Sequence, residues 1–169
     1  MGLKSFLLCF LLLTSLFSWS QTKTTDALQK QYDEALSLYF YNNTLRMLNQ
    51  KEDAGFDDLI KDIEKMKFIM IDKGQNFSSA DYQKLVSGYK SEAFEEIMTS
   101  RIEGRSFDVF LKEKNGKTYG MVVTVNDSSS LWVLDIVGSI ALNKIGSLFT
   151  TIDGSSDIRE RIREMAKKD

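Results

Sequence analysis

Residues 107–125 read FDVFLKEKNGKTYGMVVTV, and this stretch decides the fold. Its two halves largely alternate apolar and polar side chains, with Phe110 and Val122 breaking the alternation, and a period of two residues is typical of β-strands. The apolar positions are Phe107, Val109 and Leu111, then Tyr119, Met121, Val123 and Val125. Between the halves, Asn115-Gly116 is a strong signal for a two-residue turn, which requires positive φ at both positions. The stretch therefore predicts a β-hairpin.

Further strands flank this hairpin. Residues 131–137 are predicted to be the last strand, after a turn at 126–130 and before Gly138. Residues 94–102 are ambiguous between helix and strand, and we predict a strand. The second half of the chain is therefore expected to form an antiparallel meander of three or four strands.

The first half predicts helices and two more strands. Residues 21–25 are expected to be a mobile polar lead-in, followed by a short helix at 26–34. Residues 36–41, LSLYFY, read as a strand because they are rich in aromatic side chains, and one long helix through residue 50 is the alternative. With the strand, the turn signal Asn42-Asn43 is followed by a short helix at 44–50.

The middle of the chain predicts a helix, a buried strand and a second helix. Apolar side chains at helical spacing are followed by the unbroken apolar run 68–71, which is typical of a strand buried on both faces. The helical positions are Phe56, Leu59, Ile60 and Ile63. Ser78 and Asp81 have the spacing of a capping box and predict the start of the second helix. If the strands around the first helix pair in parallel, their crossover should be right-handed.

Two helices are predicted at the end of the chain. Leu142, Ile145, Leu148 and Phe149 are spaced for an amphipathic helix, and Asp157 with Glu160 begins a final one. This order of elements predicts the α+β class, with a mixed, mainly antiparallel sheet and helices packed on one face. Residues 21–169 have the length of one domain.

The first 20 residues predict a secretory signal peptide. Lys4 precedes an apolar run at 6–17, and Ser18 and Ser20 put small residues at the −3 and −1 positions of a cut before Gln21. The run is shorter than the roughly 20 apolar residues that a membrane span needs, although an uncleaved anchor is the alternative. Cleavage near Ser20-Gln21 predicts a periplasmic or secreted protein without a stable membrane span.

The composition excludes several kinds of chemistry. The chain has no histidine, and its single cysteine, Cys9, lies inside the leader. Without these residues the mature domain has no Ser-His-Asp triad, no thiolate nucleophile and no histidine-bound zinc. A net charge of −2 without a basic block argues against nucleic acid as a partner. Carboxylates, lysine, tyrosine or a serine with lysine could still catalyse a reaction.

Motifs that resemble functional sites have simpler structural interpretations. Gly116-Lys117-Thr118 lacks the earlier glycine of a phosphate-binding loop, and residues 153–157 lack the spacing of a calcium loop. Asp135, in the apolar segment 131–137, is either a buried functional carboxylate or, as we predict, the solvent-facing position of an edge strand. The adjacent pairs Asp57-Asp58 and Glu95-Glu96 are expected on solvated faces. We therefore predict no catalytic, cofactor-binding or metal-binding residues.

Aromatic side chains are the remaining candidates for function. Tyr39, Tyr41 and Trp132 are the candidates for an interaction surface. An aromatic strand such as 36–41 is more often part of the core, however, and core is the interpretation that we favour for Tyr39, Phe40 and Tyr41. The leading hypothesis is a non-enzymatic binding module of the cell envelope, whose partner is an unknown envelope protein or a small ligand. The alternatives are a carboxylate-dependent hydrolase and a carrier of a small hydrophobic ligand.

The second half resembles the domain-of-unknown-function 4252 family of exported Bacteroidetes proteins. The resemblance depends on Phe107 to Glu113, the lysine-rich hairpin 112–117 and the segment from Gly138 to Ile145, and it extends over most of residues 26–152. It implies export and an α+β domain, and because the family has no established activity it implies no functional residues. Many members resemble lipoproteins, whereas this chain has no cysteine at its cleavage site, which favours a soluble periplasmic protein.

Overall fold

The computed structural model describes residues 21–48, 52–102, 104–141 and 144. Within this part of the chain there are four α-helices and six β-strands. The helices are α1 (Lys23–Gln31), α2 (Asn42–Leu48), α3 (Ala54–Ile60) and α4 (Ser79–Ser91). The strands are β1 (Leu36–Tyr41), β2 (Ile63–Asp72), β3 (Glu95–Ile102), β4 (Arg105–Lys114), β5 (Lys117–Asn126) and β6 (Ser130–Gly138). The helices predicted from residue 142 onward lie, apart from Lys144, outside the described residues.

The strands form one sheet in the order β1-β2-β6-β5-β4-β3, which confirms the α+β class. All pairings among these strands are antiparallel, so the prediction of a mixed sheet is wrong for the described part of the chain. Tyr41 at the end of β1 pairs with Lys65 near the start of β2. The chain thus leaves and re-enters the sheet at the same end through α2 and α3, and this connection makes β1 and β2 antiparallel.

The hairpin at the centre of the meander is confirmed. β4 and β5 pair up to Lys114 and Lys117, and the two turn residues Asn115 and Gly116 have φ of 54° and 72°. Asparagine and glycine tolerate this left-handed conformation better than other residues, which is why the pair predicts the turn. The strand predicted at 94–102 is also confirmed, as β3.

The helices lie on both faces of the sheet, which corrects the prediction of a single covered face. On the first face, Leu28 of α1 and Tyr89 of α4 pack against β2, β4, β5 and β6. On the second face, Leu45 of α2 and Ile60 of α3 pack against the opposite side of the same strands. The inner strands are apolar on both sides, and both sides must therefore be removed from water.

The N-terminal segment is ordered, so the prediction of a mobile lead-in at 21–25 is wrong. Thr22 is the N-cap of α1, and its hydroxyl accepts a hydrogen bond from the backbone N–H of Thr25. Both threonine side chains are buried, and Thr22 also donates hydrogen bonds to Asp135 of β6. Polar composition alone suggested mobility, but these contacts to the sheet hold the segment in place.

Helix boundaries follow their capping residues. Ser78 and Asp81 form the predicted capping box at the start of α4, with hydrogen bonds in both directions. Asp53 caps α3 through its side chain. The apolar stripe that predicted α3 extends one residue too far, because Ile63 begins β2 instead.

Candidate functional site

Two tyrosines are exposed along the outer strand β1. Tyr39 is 47% exposed and Tyr41 is 62% exposed. They are paired with Lys67 and Lys65 of β2 and, being two residues apart, they lie on the same face of the sheet. We call this pair of tyrosines the aromatic edge. The expectation that the aromatic strand is core is therefore wrong for these two side chains, while Phe40 between them packs on the second face.

The ring of Tyr39 is held from two sides. Its hydroxyl donates a hydrogen bond to Oε1 of Gln29 in α1. The ammonium group of Lys67 lies over the ring, with Nζ 4.9 Å from the ring centroid. A cation at this distance is attracted to the electron-rich face of an aromatic ring. Tyr39 is thus exposed to solvent but restrained in position.

Lys67 is a buried cation beneath the aromatic edge. Its side chain is 2% exposed, and Nζ donates hydrogen bonds to Asp26 and, at 3.1 Å, to Gln29. Burial alone lowers the pKa of Lys67, but the hydrogen bonds to Asp26 and Tyr39 and the charge of Asp26 outweigh it and raise the pKa above the ordinary value. Lys67 is therefore protonated at neutral pH.

Asp135 lies directly opposite Lys67 on the neighbouring strand β6. It is 1% exposed, which corrects the prediction that it faces solvent. β6 is an inner strand between β2 and β5, and helices cover the face on which Asp135 lies. Burial raises the pKa of the Asp135 carboxyl, opposed by hydrogen bonds from Thr25 and Thr22 and by the charge of Lys67.

Threonine hydroxyls connect Asp135 to the core of the first face. Oδ2 of Asp135 accepts hydrogen bonds from the backbone N–H of Thr22 at 3.0 Å and from its hydroxyl at 2.9 Å. The hydroxyls of Thr25 and Tyr89 are 3.0 Å apart, and burial raises the pKa of Tyr89. A carboxylate at the start of a helix is favourably placed with respect to the helix dipole. Asp135 therefore anchors α1 to the sheet.

A second buried carboxylate lies on the same face. Asp108 of β4 accepts a hydrogen bond from the hydroxyl of Tyr82, which is 2.8 Å from the hydroxyl of Thr124. Burial, together with the hydrogen bond to Asp108, raises the pKa of Tyr82. Asp108 and Asp135 are thus each enclosed between sheet and helices and each hydrogen-bonded to hydroxyl groups. Neither carboxylate lines either of the two grooves formed by the described residues.

Two grooves lie outside this network. One, of about 390 Å³, lies where β2 and β5 begin and β6 ends, and its charged lining residues are Lys61, Asp62, Glu64 and Lys117. The other, of about 440 Å³, is lined by Arg46, Glu52, Asp57, Ile60 and Lys61. Most of these side chains are exposed and both signs of charge are mixed, so the grooves are solvated and polar. The exposed pairs Asp57-Asp58 and Glu95-Glu96 match the prediction of solvated faces.

Trp132 does not belong to the aromatic edge. It pairs with Met70 and Val125, and its side chain lies on the second face. There it packs edge-on against Phe68, with ring centroids 5.9 Å apart. The structure thus brings Tyr39 and Tyr41 together and separates Trp132 from them by the thickness of the sheet.

Sequence reasoning did not select Lys67, Asp26 or Gln29. The sequence did carry a signal for Lys67, because this charged residue lies between apolar residues at the start of a predicted strand, and Asp135 lies between apolar residues of another. Two opposite charges in two buried strands suggest that the strands are neighbours with the charges paired. Asp26 and Gln29 carry no such signal, since exposed polar residues of a helix look alike in a sequence.

The described residues offer no candidate for a metal site or a membrane span. No group of three or more aspartate, glutamate, histidine or cysteine side chains converges there to hold a metal ion. No helix in the described ranges is long and apolar enough to cross a membrane.

The fold and the site define an α+β domain with an exposed aromatic edge above a buried lysine–aspartate pair. Residues 17–148 match the model of the family described as Domain of unknown function (DUF4252), and the chain belongs to that family. Neither the curated proteins nor the solved structures contain a match.

Proposed function

We propose that the protein is exported to the cell envelope and acts there as a non-enzymatic binding module through the aromatic edge. The partner is an envelope protein or a small ligand that contacts Tyr39 and Tyr41. Export is proposed from the leader at residues 1–20, and the binding role from the geometry of β1.

The observation that carries the proposal is an exposed tyrosine held in place. Tyr39 presents its ring to solvent while Lys67 and Gln29 restrain it. Binding usually costs the conformational entropy of side chains that become ordered, and a restrained side chain has less entropy to lose. Tyrosine also combines a large contact area with a polar hydroxyl, which suits a surface that is wet when free and covered when bound.

The buried charges support binding over catalysis. Lys67 is protonated, and a protonated amine has no lone pair with which to attack a substrate. Asp135 and Asp108 are enclosed and engaged with hydroxyl groups. A hydrolase that uses two carboxylates needs them on either side of a cleft, whereas in the described part of the chain these two are buried between the sheet and the helices.

The space between the sheet and helices α1 and α4 argues against the carrier alternative. The side chains there are buried and contact one another, including the rings of Tyr89 and Phe110 at 5.4 Å between centroids. A carrier of a hydrophobic ligand needs an enclosed apolar cavity of its own size in such a place.

Differential capture tests the proposal. The protein, produced with its leader and purified in its processed form, is used as bait for the native envelope fraction, and bound proteins and small molecules are identified by mass spectrometry. The variants are Tyr39→Ala/Tyr41→Ala and, as a matched control, Tyr119→Ala on β5. We expect a partner that the wild type and the control retain and that the double variant loses at least about tenfold.

The result that would overturn the proposal is a partner retained equally by all three proteins, or none retained by the wild type. Circular dichroism of each variant separates loss of binding from loss of folding. Retention of a small hydrophobic molecule by the double variant as well as the wild type would favour the carrier alternative.

A further inference from the structure

β3 is the outer strand at the end of the sheet opposite the aromatic edge. Among the described residues, β3 pairs with β4 alone, and seven of its eight residues are exposed. Ile97, Met98 and Ile102 are among its exposed side chains, and Ile102 is 57% exposed. An outer strand presents a row of backbone N–H and C=O groups that another strand can pair with. β3 contains neither proline nor lysine, two residues that often block such pairing, and its one irregularity is a bulge near its start.

A bulge in β3 determines which of its side chains share a face. The register with β4 shifts between Glu96 and Met98, so that one extra residue is inserted there. As a result, Glu96, Thr99 and Arg101 point to the first face, opposite Phe110, Asp108 and Ser106 of β4. Without the extra residue, Glu96 and Arg101 would lie on opposite faces.

We propose that β3 pairs with β3 of a second copy of this chain, in antiparallel orientation about a twofold axis at Thr99. Such an axis is perpendicular to the sheet and keeps the first face of both copies on the same side. Thr99 then lies opposite Thr99 of the second copy, and Met98 lies opposite Ser100. The two six-stranded sheets become one continuous sheet.

Charge complementarity selects this register. Glu96 lies opposite Arg101 of the second copy, and the symmetry repeats this pair on the other side of the axis. Shifting the register by two residues in either direction removes both pairs. Shifting it by four sets Glu96 against Glu96, or Arg101 against Arg101, and like charges directly opposite each other are destabilising. Glu96 already forms an ion pair with Lys90 of its own chain, with 2.7 Å between Nζ and Oε2. The pair of Glu96 with Arg101 of the second copy would therefore join an existing cluster of charges.

Apolar contacts on the second face support the same register. Met98 of one copy becomes the diagonal neighbour of Met98 and of Ile102 in the other copy, within reach of long side chains. These exposed side chains would then cover one another. The contact is narrow compared with a standard protein interface, so we expect the dimer to depend on protein concentration.

This inference does not depend on the proposed function. β3 and the aromatic edge of β1 are at opposite ends of the sheet, and the dimer leaves both aromatic edges free at its two far ends. A dimer would present two copies of the binding surface, which strengthens attachment to a partner with repeated sites.

Sedimentation velocity over a range of concentrations tests the pairing. The protein is produced with its leader and purified in its processed form. The variants are Arg101→Glu and Glu96→Arg, with Lys114→Glu in the hairpin as the matched charge reversal. We expect the wild type and the control to dimerise, and each single variant to dimerise at least about tenfold more weakly because both of its cross-strand pairs become repulsive.

Mixing the two variants gives the sharpest outcome. In a mixed dimer, the arginine introduced at position 96 of one chain faces the glutamate introduced at position 101 of the other. The unchanged Arg101 of the first chain faces the unchanged Glu96 of the second, so both pairs are attractive again. We expect the equimolar mixture to dimerise about as well as the wild type. A monomeric wild type, a dimer insensitive to both reversals, or a mixture that fails to associate would each overturn the proposal.

A second measurement guards against a variant that folds poorly. Thr99→Cys places a thiol on the proposed axis of a chain whose natural cysteine, Cys9, belongs to the leader. Intact mass confirms that the leader is absent. We expect Thr99→Cys to form a disulfide-linked dimer on mild oxidation and Lys114→Cys to do so at least about tenfold less, since directly opposite residues have the separation that a disulfide requires. Equal crosslinking of the two variants would contradict the register.

Discussion

Lys67 and Asp135 are buried residues of opposite charge that face each other on adjacent strands, while the ammonium group of Lys67 forms its ion pair with Asp26 of α1. Removing two charges from water is costly, and such a pair contributes less to stability than its Coulomb attraction suggests. The pair does, however, oppose slippage of the strand register. If β2 slid by two residues along β6, Asp135 would face Lys65 or Ile69 instead, and Lys67 would face an apolar side chain. We infer that the pair helps to specify the pairing of β2 with β6.

Removing the positive charge of Lys67 tests how much the two buried charges contribute to stability. Lys67→Met keeps most of the volume but leaves Asp26 without its ion-pair partner, Asp135 without the charge that faces it and Tyr39 without its cation. We expect the free energy of unfolding at pH 7 to fall by about 3 kcal/mol, measured by urea denaturation. Lys65→Met, on the same face of β2 but opposite Tyr41, is the matched control and should change stability by about 0.5 kcal/mol or less.

The loss of stability caused by Lys67→Met should depend on pH. Burial already raises the pKa of Asp135, and the loss of Lys67 raises it further. A carboxyl group whose pKa is raised in the folded state favours folding at low pH, and this contribution is lost as pH rises through the raised pKa. The destabilisation by Lys67→Met should therefore be larger at pH 7 than at pH 4, where Asp135 is more fully protonated. An equal loss at both values would show that packing, and not charge, is responsible.

At the level of elements, a glycine at the end of β6 allows the backbone to pass very close to the residue that precedes β2. Gly138 has φ of 112°, which is unfavourable for residues with a side chain. A Cβ at this position would overlap the carbonyl oxygen of Asp62, whose backbone accepts a hydrogen bond from Ser139 at 3.1 Å. Only glycine allows the two segments to approach this closely.

Gly138→Ala should therefore destabilise the protein by about 3 kcal/mol or more, because both the backbone conformation and the contact become unfavourable. Gly116→Ala in the hairpin is the matched control. It also has positive φ, but a Cβ there meets no atom within 4 Å. We expect it to cost about 1 kcal/mol, so that thermal unfolding of the two variants gives clearly different midpoints. Similar midpoints would mean that the segment around Asp62 relaxes to accept the side chain.

The N-terminus of α1 packs against β6, which lies late in the described part of the chain. Thr22 and Asp135 are 113 residues apart in sequence and in direct contact. The chain around residue 21 is therefore part of the fold. A cut before Gln21 preserves the N-cap of α1, whereas a cut after Thr22 would remove it.

At the level of the whole molecule, we expect protein isolated from its native cells to begin at Gln21, as measured by intact mass. Ser20→Leu should slow processing and cause the precursor to accumulate, because the cleavage site requires a small residue at the −1 position. Thr14→Leu, inside the apolar run, is the matched control and should be processed like the wild type. A wild-type mass that includes the leader would contradict the proposal of export with cleavage.

The sequence by itself determined the elements that depend on neighbouring residues. Alternation and Asn115-Gly116 predicted the hairpin, Ser78 with Asp81 predicted the start of α4, and aromatic composition predicted β1. These signals depend on local backbone geometry and on contacts between residues a few positions apart. They sufficed for the α+β class, because the order of the elements restricts how they can pack.

Only the tertiary structure decided which side chains are buried and which share a surface. Asp135 had the pattern of a solvent-facing residue, and it is buried because α1 lies over it. Tyr39, Tyr41 and Trp132 are all aromatic residues in predicted strands. In the structure, Trp132 lies on the opposite face of the sheet from Tyr39 and Tyr41. Burial depends on what packs over a residue, and here the covering segments are distant in the chain. Local patterns in the sequence carry no record of such contacts.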